Sequence, residues 1–146
     1  MEMERLWVGS GTIWEEKVGY ARAVRVGDHI YVSGTTATDE AGRLVGGDDP
    51  EAQTRYILAK IERALKSLGA SLADVVRVRV YVTNAADWEA VGRALAEAFG
   101  AVRPANTLVA VKALVGDAYL VEIEADAIAG SGAVVRPLPS TATDSQ

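Results

Sequence analysis

Residues 22–34, RAVRVGDHIYVSG, form the stretch that decides the fold. Two β-prone runs flank Gly27-Asp28, and this pair can supply the positive φ of a two-residue hairpin turn. The stretch therefore predicts an antiparallel hairpin. His29 comes directly after the turn, a position that favours a solvated hairpin residue over a catalytic or metal-binding histidine.

The residues after the hairpin predict two helices. Asp49-Pro50-Glu51 is a typical helix start, because aspartate caps free amides, proline fits the first turn and glutamate favours the positive dipole end. Gly69 ends this helix in left-handed geometry, and Gly100 ends the second one. Both helices carry an apolar stripe at helical spacing. The stripes are Ile57, Ile61, Ala64, Leu65 and Leu68 in the first helix, and Trp88, Val91, Leu95 and Phe99 in the second.

Period-two alternation predicts further strands. Two final strands are expected over residues 107–114 and 119–128, and a short one over residues 5–8. The strand between the helices is apolar at Val76, Val78, Val80 and Val82. In the last strand, Val121, Ile123, Ala125 and Ala127 oppose Glu122, Glu124 and Asp126.

The resulting order, ββαβαββ, predicts an α+β fold with a mixed sheet. Helices separated by single strands require crossover connections, which place both helices on one face of the sheet. Residues 30–32 and 108–111 are apolar on both sides, so the other face needs a cover that copies of the chain can supply. We therefore predict a homo-oligomer. Residues 1–130 are expected to form a single domain, followed by a flexible tail over residues 131–146.

Composition narrows the function. The 146 residues include no cysteine and one histidine, which excludes disulfides, thiolate metal sites, a cysteine nucleophile and a multi-histidine metal site. The net charge of −5 disfavours nucleic-acid binding, since such binding depends mostly on neutralising phosphates. No apolar run approaches a membrane span, and residues 1–5 lack the apolar centre of a secretory signal. We expect a soluble, cytoplasmic protein that binds no metal.

Short motifs give the chain a family resemblance. In order, they are GYARAVRVGD at 19–28, YVSG at 31–34, GASLAD at 69–74, DVVRV at 74–78, RPA at 103–105 and VEIEA at 121–125. Their order and spacing resemble those of the reactive-intermediate deaminase (RidA-like, Rid) family over residues 17–129. No one of these motifs is specific alone, and the specificity comes from all of them together.

The resemblance implies a chorismate mutase-like fold of the Bacillus type. It also implies a homotrimer whose sheets form a central barrel, with small-molecule clefts between subunits. Family members with the best-known activity hydrolyse reactive imines or enamines without a metal or cofactor. A chain without cysteine and with one histidine is compatible with such chemistry.

The resemblance also implies site residues. Tyr20 matches a cleft tyrosine whose hydroxyl can bind a polar atom of the ligand, although packing at an interface would also explain it. Ser33 and Gly34 match a stretch whose backbone lines the cleft. Glu122 matches the acidic residue that orients or activates water. Its alternating position is equally typical of an ordinary polar strand face.

One position departs from the family pattern. Deaminases of this family carry an arginine directly after Pro-Ala, where its guanidinium binds the carboxylate of the substrate. Here Asn106 occupies that position and Thr107 follows. We expect both to contact the substrate, and we expect this substrate to differ from a simple 2-iminocarboxylate. Losing a charged hydrogen bond costs about 1.5–3 kcal/mol, or roughly 10- to 200-fold in binding.

Arg22 is the candidate that can compensate for this loss. It lies two residues after Tyr20, so on a regular strand both side chains leave the same face. Arg22 then either places a cation near the cleft or forms a salt bridge within the trimer, for example with Glu122 or Glu124. Trp14-Glu15 forms either a flap over the cleft or a loop that tryptophan anchors to the core.

The resemblance and these residues together leave three functions open. The leading one is hydrolysis of an imine, an enamine or a related carbon–nitrogen compound, with Glu122 handling water. The alternative is a module that binds or senses a small metabolite without turnover, since a fold does not fix chemistry. A lesser alternative is RNA binding or cleavage, which the acidic composition disfavours.

Overall fold

The computed structural model describes residues 2–139. Within them, six strands and three helices follow each other as β1 (Arg5–Val8), α1 (Ile13–Val18), β2 (Ala23–Val26), β3 (His29–Thr35), α2 (Pro50–Ser67), β4 (Val75–Val82), α3 (Trp88–Phe99), β5 (Ala105–Ala110) and β6 (Val121–Ile128). The strands form one mixed sheet in the order β1-β2-β3-β6-β4-β5, in which the β4–β5 pair is parallel. The predicted α+β class and the order ββαβαββ are confirmed, with β1 and α1 preceding them.

The β2–β3 hairpin forms as the sequence predicts. Val26 pairs with His29 across the turn, and Gly27 has a φ of 60°. This positive φ at the first central turn position is the geometry that glycine adopts without strain. His29 is exposed, in agreement with its interpretation as a solvated residue.

Helix α2 begins and ends at the predicted signals. The Asp49 carboxylate accepts hydrogen bonds from the amides of Glu51 and Ala52 at 2.9 and 3.3 Å. Gly69 follows the helix with a φ of 81°. The predicted apolar stripe of α2 is buried against the sheet together with Val91, Leu95 and Phe99 of α3. Helices α2 and α3 therefore cover one face of the sheet.

Three details differ from the prediction. Val76 is exposed, because β4 holds one extra residue between Val75 and Arg77 opposite β6, a β-bulge that turns it off the apolar face. Trp88 is the first residue of α3 and is 58% exposed. Strand β5 spans Ala105–Ala110 rather than residues 107–114.

The opposite face of the sheet is open within this single chain. Trp7, Tyr31 and Val109 are exposed large side chains on this face, beside an ionic cluster in which Arg79 lies 3.3 Å from Asp126. Aromatic and apolar residues on an uncovered sheet face are typical of a surface that another protein covers. Within residues 2–139, no helix is both long and apolar enough to cross a membrane.

The segment after β6 begins with ordered contacts. Ser131–Ala133 form a short 3₁₀ turn, in which the amide of Gly132 donates to Asp74 Oδ1 at 2.8 Å. Residues 134–139 have no regular secondary structure. The last seven residues of the predicted tail, 140–146, lie outside the described part of the chain.

Candidate functional site

A cleft of about 240 Å³ lies where the segment after α1 meets the ends of β3 and β6. Four of the residues expected at a site line it, namely Tyr20, Arg22, Gly34 and Glu122. Its other lining residues are Thr12, Trp14, Val18, Thr36, Thr38, Lys60, Val115 and Tyr119. We refer to this space as the Glu122 cleft.

A β-bulge in β3 shapes the wall of this cleft. Val32 pairs with Ala125 but Thr35 pairs with Ile123, so β3 holds one residue more than β6 in this interval. The extra length falls at Ser33 and Gly34. The Ser33 hydroxyl donates to the Ala21 carbonyl at 2.7 Å, and Ser33 is not among the residues that line the cleft. Gly34 does line it.

Glu122 is the acid of the cleft. Its side chain extends from β6 into the space that the missing side chain of Gly34 leaves open. Burial raises the pKa of Glu122, the Arg22 guanidinium lowers it and the Glu124 carboxylate raises it, with a net shift upward. A carboxylate with a raised pKa is a stronger base than an ordinary glutamate, which suits proton transfer near neutral pH.

Arg22 is only 4% exposed, and its guanidinium is bound within the protein. Nε donates to Glu15 at 3.2 Å, and Nη1 donates to the Gly34 carbonyl at 2.6 Å and to the Thr35 hydroxyl at 2.9 Å. Nη2 reaches the Tyr20 hydroxyl at 3.4 Å, and the guanidinium carbon lies 5.5 Å from the Tyr20 ring centre. Of the two alternatives for Arg22, the structure thus shows a salt bridge, and within the single chain its partner is Glu15 rather than Glu122 or Glu124.

Glu15 was not predicted as a site residue. It lies on α1, is buried, and accepts hydrogen bonds from the Ser10 amide at 2.9 Å, the Ser10 hydroxyl and the Thr12 hydroxyl at 3.0 Å. Burial raises its pKa, but the hydrogen bonds from Ser10 and Thr12 and the charge of Arg22 together hold it below the usual value. The spacing Thr12-x-x-Glu15, typical of a helix start, is the signal that could have revealed α1.

The Glu15–Arg22 pair positions the remaining cleft residues. It ties α1 to the start of β2, and through Arg22 it also holds the bulge carbonyl of Gly34. Trp14, next to Glu15, is half-exposed and lines the cleft, as a residue of a helix rather than of a loop.

Asn106 and Thr107 lie elsewhere in the chain. They are exposed on β5, an edge strand that β4 separates from β6. They pair with Val78 and Arg79 of β4. Consecutive residues of a strand point to opposite faces of the sheet, so at most one of the two can face a given cleft. The single chain does not bring either of them to the Glu122 cleft.

Lys60 is a cleft residue that the sequence did not reveal. It belongs to α2 and is 6% exposed, and its Nζ donates to the carbonyls of Thr36 and Thr38 at 3.2 and 2.8 Å. Burial and the nearby charge of Arg22 lower the pKa of Lys60 to about 8. On the helical wheel it appears as an interruption of the apolar stripe, a pattern that does not separate a buried lysine from a solvated one.

Replacing Gly34 with alanine tests the fit between this residue and Glu122. A Cβ at position 34 would overlap the Glu122 carboxylate, so Gly34→Ala should turn that side chain away and lower any turnover in the cleft at least about tenfold. The matched control is Gly92→Ala in α3, where a Cβ meets no atom within 4 Å. It should leave turnover unchanged and stabilise the fold by up to about 1 kcal/mol. Equal turnover in both variants would contradict this role of Gly34.

Comparison with known protein families shows to which family this chain belongs. The model of the family described as endoribonuclease L-PSP matches residues 14–129, which extend from α1 to the end of β6. The chain belongs to this family, also called YjgF/RidA/UK114. The resemblance drawn from the motifs is thereby confirmed, and so is the chorismate mutase-like fold that it implies.

Relatives of this L-PSP family chain include proteins from bacteria and archaea. It is 40% identical over 124 residues to the uncharacterized protein SCO2049 of Streptomyces coelicolor, covering 85% of this chain and 92% of the relative. It is 39% identical over 107 residues to the RutC family protein PYRAB12510 of Pyrococcus abyssi, covering 73% and 83%. Both alignments span most of the fold.

Solved structures agree with the fold. Rv2704 of Mycobacterium tuberculosis, from the YjgF/YER057c/UK114 family, superposes with a TM-score of 0.79 at 50% identity, covering 86% of this chain and 99% of Rv2704. The putative endoribonuclease TM0215 of Thermotoga maritima gives a TM-score of 0.70 at 38% identity, covering 75% and 85%. Among the described residues of our chain, no group of three or more acidic or histidine side chains could hold a metal ion.

Proposed function

We propose that this L-PSP family chain hydrolyses the carbon–nitrogen double bond of a small polar imine, or of the imine tautomer of an enamine. The observation that supports this most strongly is the half-buried Glu122 carboxylate, which lies against Gly34 in a cleft of small-molecule size that Tyr20 and Arg22 also line. A base with a raised pKa beside a hydrogen-bonding hydroxyl is a minimal arrangement for activating water.

The reaction needs a base, a water molecule and a polar contact to the substrate. Glu122 removes a proton from water as its oxygen attacks the carbon of the protonated imine. The resulting carbinolamine receives this proton on nitrogen from Glu122. As the carbon–nitrogen bond breaks, the Glu122 carboxylate takes the hydroxyl proton, which gives a carbonyl compound and ammonia. The ammonia then takes that proton from Glu122 and leaves as ammonium. The Tyr20 hydroxyl, which lies beside Arg22 at 3.4 Å, is placed to bind a polar atom of the substrate.

The proposal includes a homotrimer with clefts between subunits. The exposed Trp7, Tyr31 and Val109 on the open sheet face support such an assembly, because copies of the chain would bury them. In a trimer, β5 of a neighbouring subunit would bring Asn106 to the Glu122 cleft. This would complete a site that the single chain leaves without residues of β5.

The substrate class follows from the charges. Asn106 is uncharged, and the Arg22 guanidinium is neutralised by Glu15 and hydrogen-bonded to Gly34 and Thr35. These contacts occupy the guanidinium that was expected to bind the anion of the substrate. A 2-iminocarboxylate would then lack the charged hydrogen bonds that it requires, so the preferred substrate is an imine without a carboxylate on the imine carbon.

The proposal is tested with a panel of imines generated in place, some with and some without that carboxylate. Release of ammonia and of the carbonyl product is measured with native protein and with the Glu122→Gln variant. We expect native protein to accelerate hydrolysis of at least one uncharged imine. If no imine of the panel is hydrolysed faster than in buffer while a panel compound binds, the chain is a binding module and the proposal is wrong.

A further inference from the structure

A second cleft lies behind the Glu122 cleft, between α2 and the segment that joins β1 to α1. It has a volume of about 400 Å³ and shares Arg22, Thr38 and Lys60 with the Glu122 cleft. Its other lining residues include Ser10, Glu40, Tyr56 and Arg63. No function described above uses this second cleft.

The charges that line the second cleft are unbalanced. Arg22 is neutralised by Glu15 at 3.2 Å. In the part of the chain that the structure describes, ion pairs engage Arg22, Arg25, Arg55, Lys66, Arg79 and Arg93, and neither Lys60 nor Arg63. Glu40 is the acidic residue of the lining and has no ion pair with either cation. Lys60 and Arg63 together thus leave an excess of positive charge.

Lys60 is the most unusual member of this lining. Only 6% of its surface is exposed, yet no carboxylate of the described residues lies within 4 Å of its Nζ. Two of its three ammonium hydrogens are donated to the carbonyls of Thr36 and Thr38, so one donor remains available. A buried cation without a counter-charge is costly, and an anion in the cleft would relieve that cost.

The charges around Lys60 agree with this interpretation. Burial, Arg22 and Arg63 lower the pKa of Lys60 and Glu15 and Asp39 raise it, with a net value of about 8. Glu40 also lines the cleft. A bound anion would oppose the effect of Arg22 and Arg63, so binding should be coupled to the proton on Lys60.

We propose that the second cleft binds a small oxyanion, a phosphate, sulfate or carboxylate group, through Lys60 and Arg63. The cleft has room for such a group, because its volume of about 400 Å³ exceeds by roughly tenfold the 30 Å³ that a water molecule occupies in the liquid. Lys60 supplies a buried charge at the inner wall and Arg63 an exposed one at the rim.

The test measures binding of sulfate and acetate to the full chain by calorimetry at pH 7, with ionic strength held constant by chloride. We expect saturable binding of at least one anion, and the stronger of the two identifies a phosphate-like or a carboxylate ligand. Arg63→Gln should weaken that binding about fivefold or more, and Lys60→Met should abolish it. Lys66→Gln is the matched control, since Lys66 is exposed on the same helix and paired with Glu62.

The pH dependence gives a second, independent readout. Sulfate keeps its charge between pH 7 and 9, whereas Lys60, with a pKa of about 8, loses its proton in this range. Affinity for sulfate should therefore be about tenfold weaker at pH 9 than at pH 7. Absence of saturable binding would overturn the proposal. Equal binding by native protein and Arg63→Gln would overturn it as well and would indicate an adventitious ion only. Because Arg63 is exposed, that variant decides the matter even if Lys60→Met fails to fold.

Discussion

Replacing Glu122 with glutamine should lower imine hydrolysis by about 10²- to 10⁴-fold, the usual contribution of a general base. Glutamine keeps the size of the side chain and its fit against Gly34, but it has no basic oxygen with which to take a proton from water. Substrate binding should change little, so the loss should appear in kcat rather than in KM. The measurement is steady-state release of ammonia from an imine that native protein hydrolyses.

Glu124→Gln is the matched control for this prediction. Glu124 lies two residues further along β6 on the same face, but it accepts a hydrogen bond from the Tyr81 hydroxyl and does not line the Glu122 cleft. Its replacement should leave most of the turnover intact. Equal losses in Glu122→Gln and Glu124→Gln would contradict the assignment of Glu122 as the base.

The pH dependence of turnover tests the same assignment of Glu122 as the base. A glutamate acts as a base only in its ionised form, so turnover that depends on Glu122 should fall as the pH drops through the pKa of Glu122. Burial raises that pKa above the ordinary glutamate value, so the fall should begin at a higher pH than for an exposed glutamate. Because the Glu124 carboxylate also raises it, Glu124→Gln should move the acid limb to lower pH.

Replacing Glu15 with alanine should lower the free energy of unfolding by about 3–5 kcal/mol. Such losses are typical when one partner of a buried ion pair is removed, because the remaining charge stays buried without compensation. Here the remaining charge would be Arg22, whose side chain is 5% exposed. The hydrogen bonds from Ser10 and Thr12 that hold α1 would be lost as well. Chemical denaturation at neutral pH measures the effect.

Glu97→Ala is the control for the Glu15 variant. Glu97 also pairs with an arginine, Arg55 at 2.8 Å, but its side chain is 69% exposed, so its removal should change stability by no more than about 0.5–1 kcal/mol.

The stabilisation by Glu15 should also depend on pH. The pKa of Glu15 is held below its usual value in the folded state. The contribution of Glu15 to stability is therefore complete above its pKa in the unfolded chain and disappears as the pH falls through its pKa in the folded protein. If Glu15→Ala lowered the free energy of unfolding by less than about 1 kcal/mol at neutral pH, the Glu15–Arg22 pair would not be what stabilises the site.

The sequence was sufficient for the elements that local patterns determine. The turn at Gly27-Asp28, the cap at Asp49 and the alternation of β6 each predicted what the structure contains. The expectation that Tyr20, Gly34 and Glu122 belong to one site came from the family resemblance, and the structure brings these three residues together in one cleft.

The rest depended on contacts between distant segments. The pairing of Arg22 with Glu15 was not foreseen because Glu15 lies on α1, a helix of six residues that is too short for helical periodicity to reveal. The β4 bulge that exposes Val76 reverses the alternation of buried and exposed residues locally, and no single residue in the sequence indicates a bulge there. The buried Lys60 was missed for a similar reason, since its partners are backbone carbonyls that the sequence does not mark.

Comparison of native protein with Asn106→Arg, using 2-iminobutyrate generated by a threonine dehydratase, tests the central claim most directly. The claim is that the Glu122 cleft is competent for imine hydrolysis and that the residue at position 106 excludes carboxylate substrates. Asn106→Gln is the matched control, because it lengthens the side chain at the same position without adding a charge. We predict that native protein and Asn106→Gln leave 2-iminobutyrate at its uncatalysed rate, whereas Asn106→Arg accelerates hydrolysis at least about tenfold through a new charged hydrogen bond. Rapid hydrolysis by native protein, or a folded Asn106→Arg variant without activity, would contradict the account.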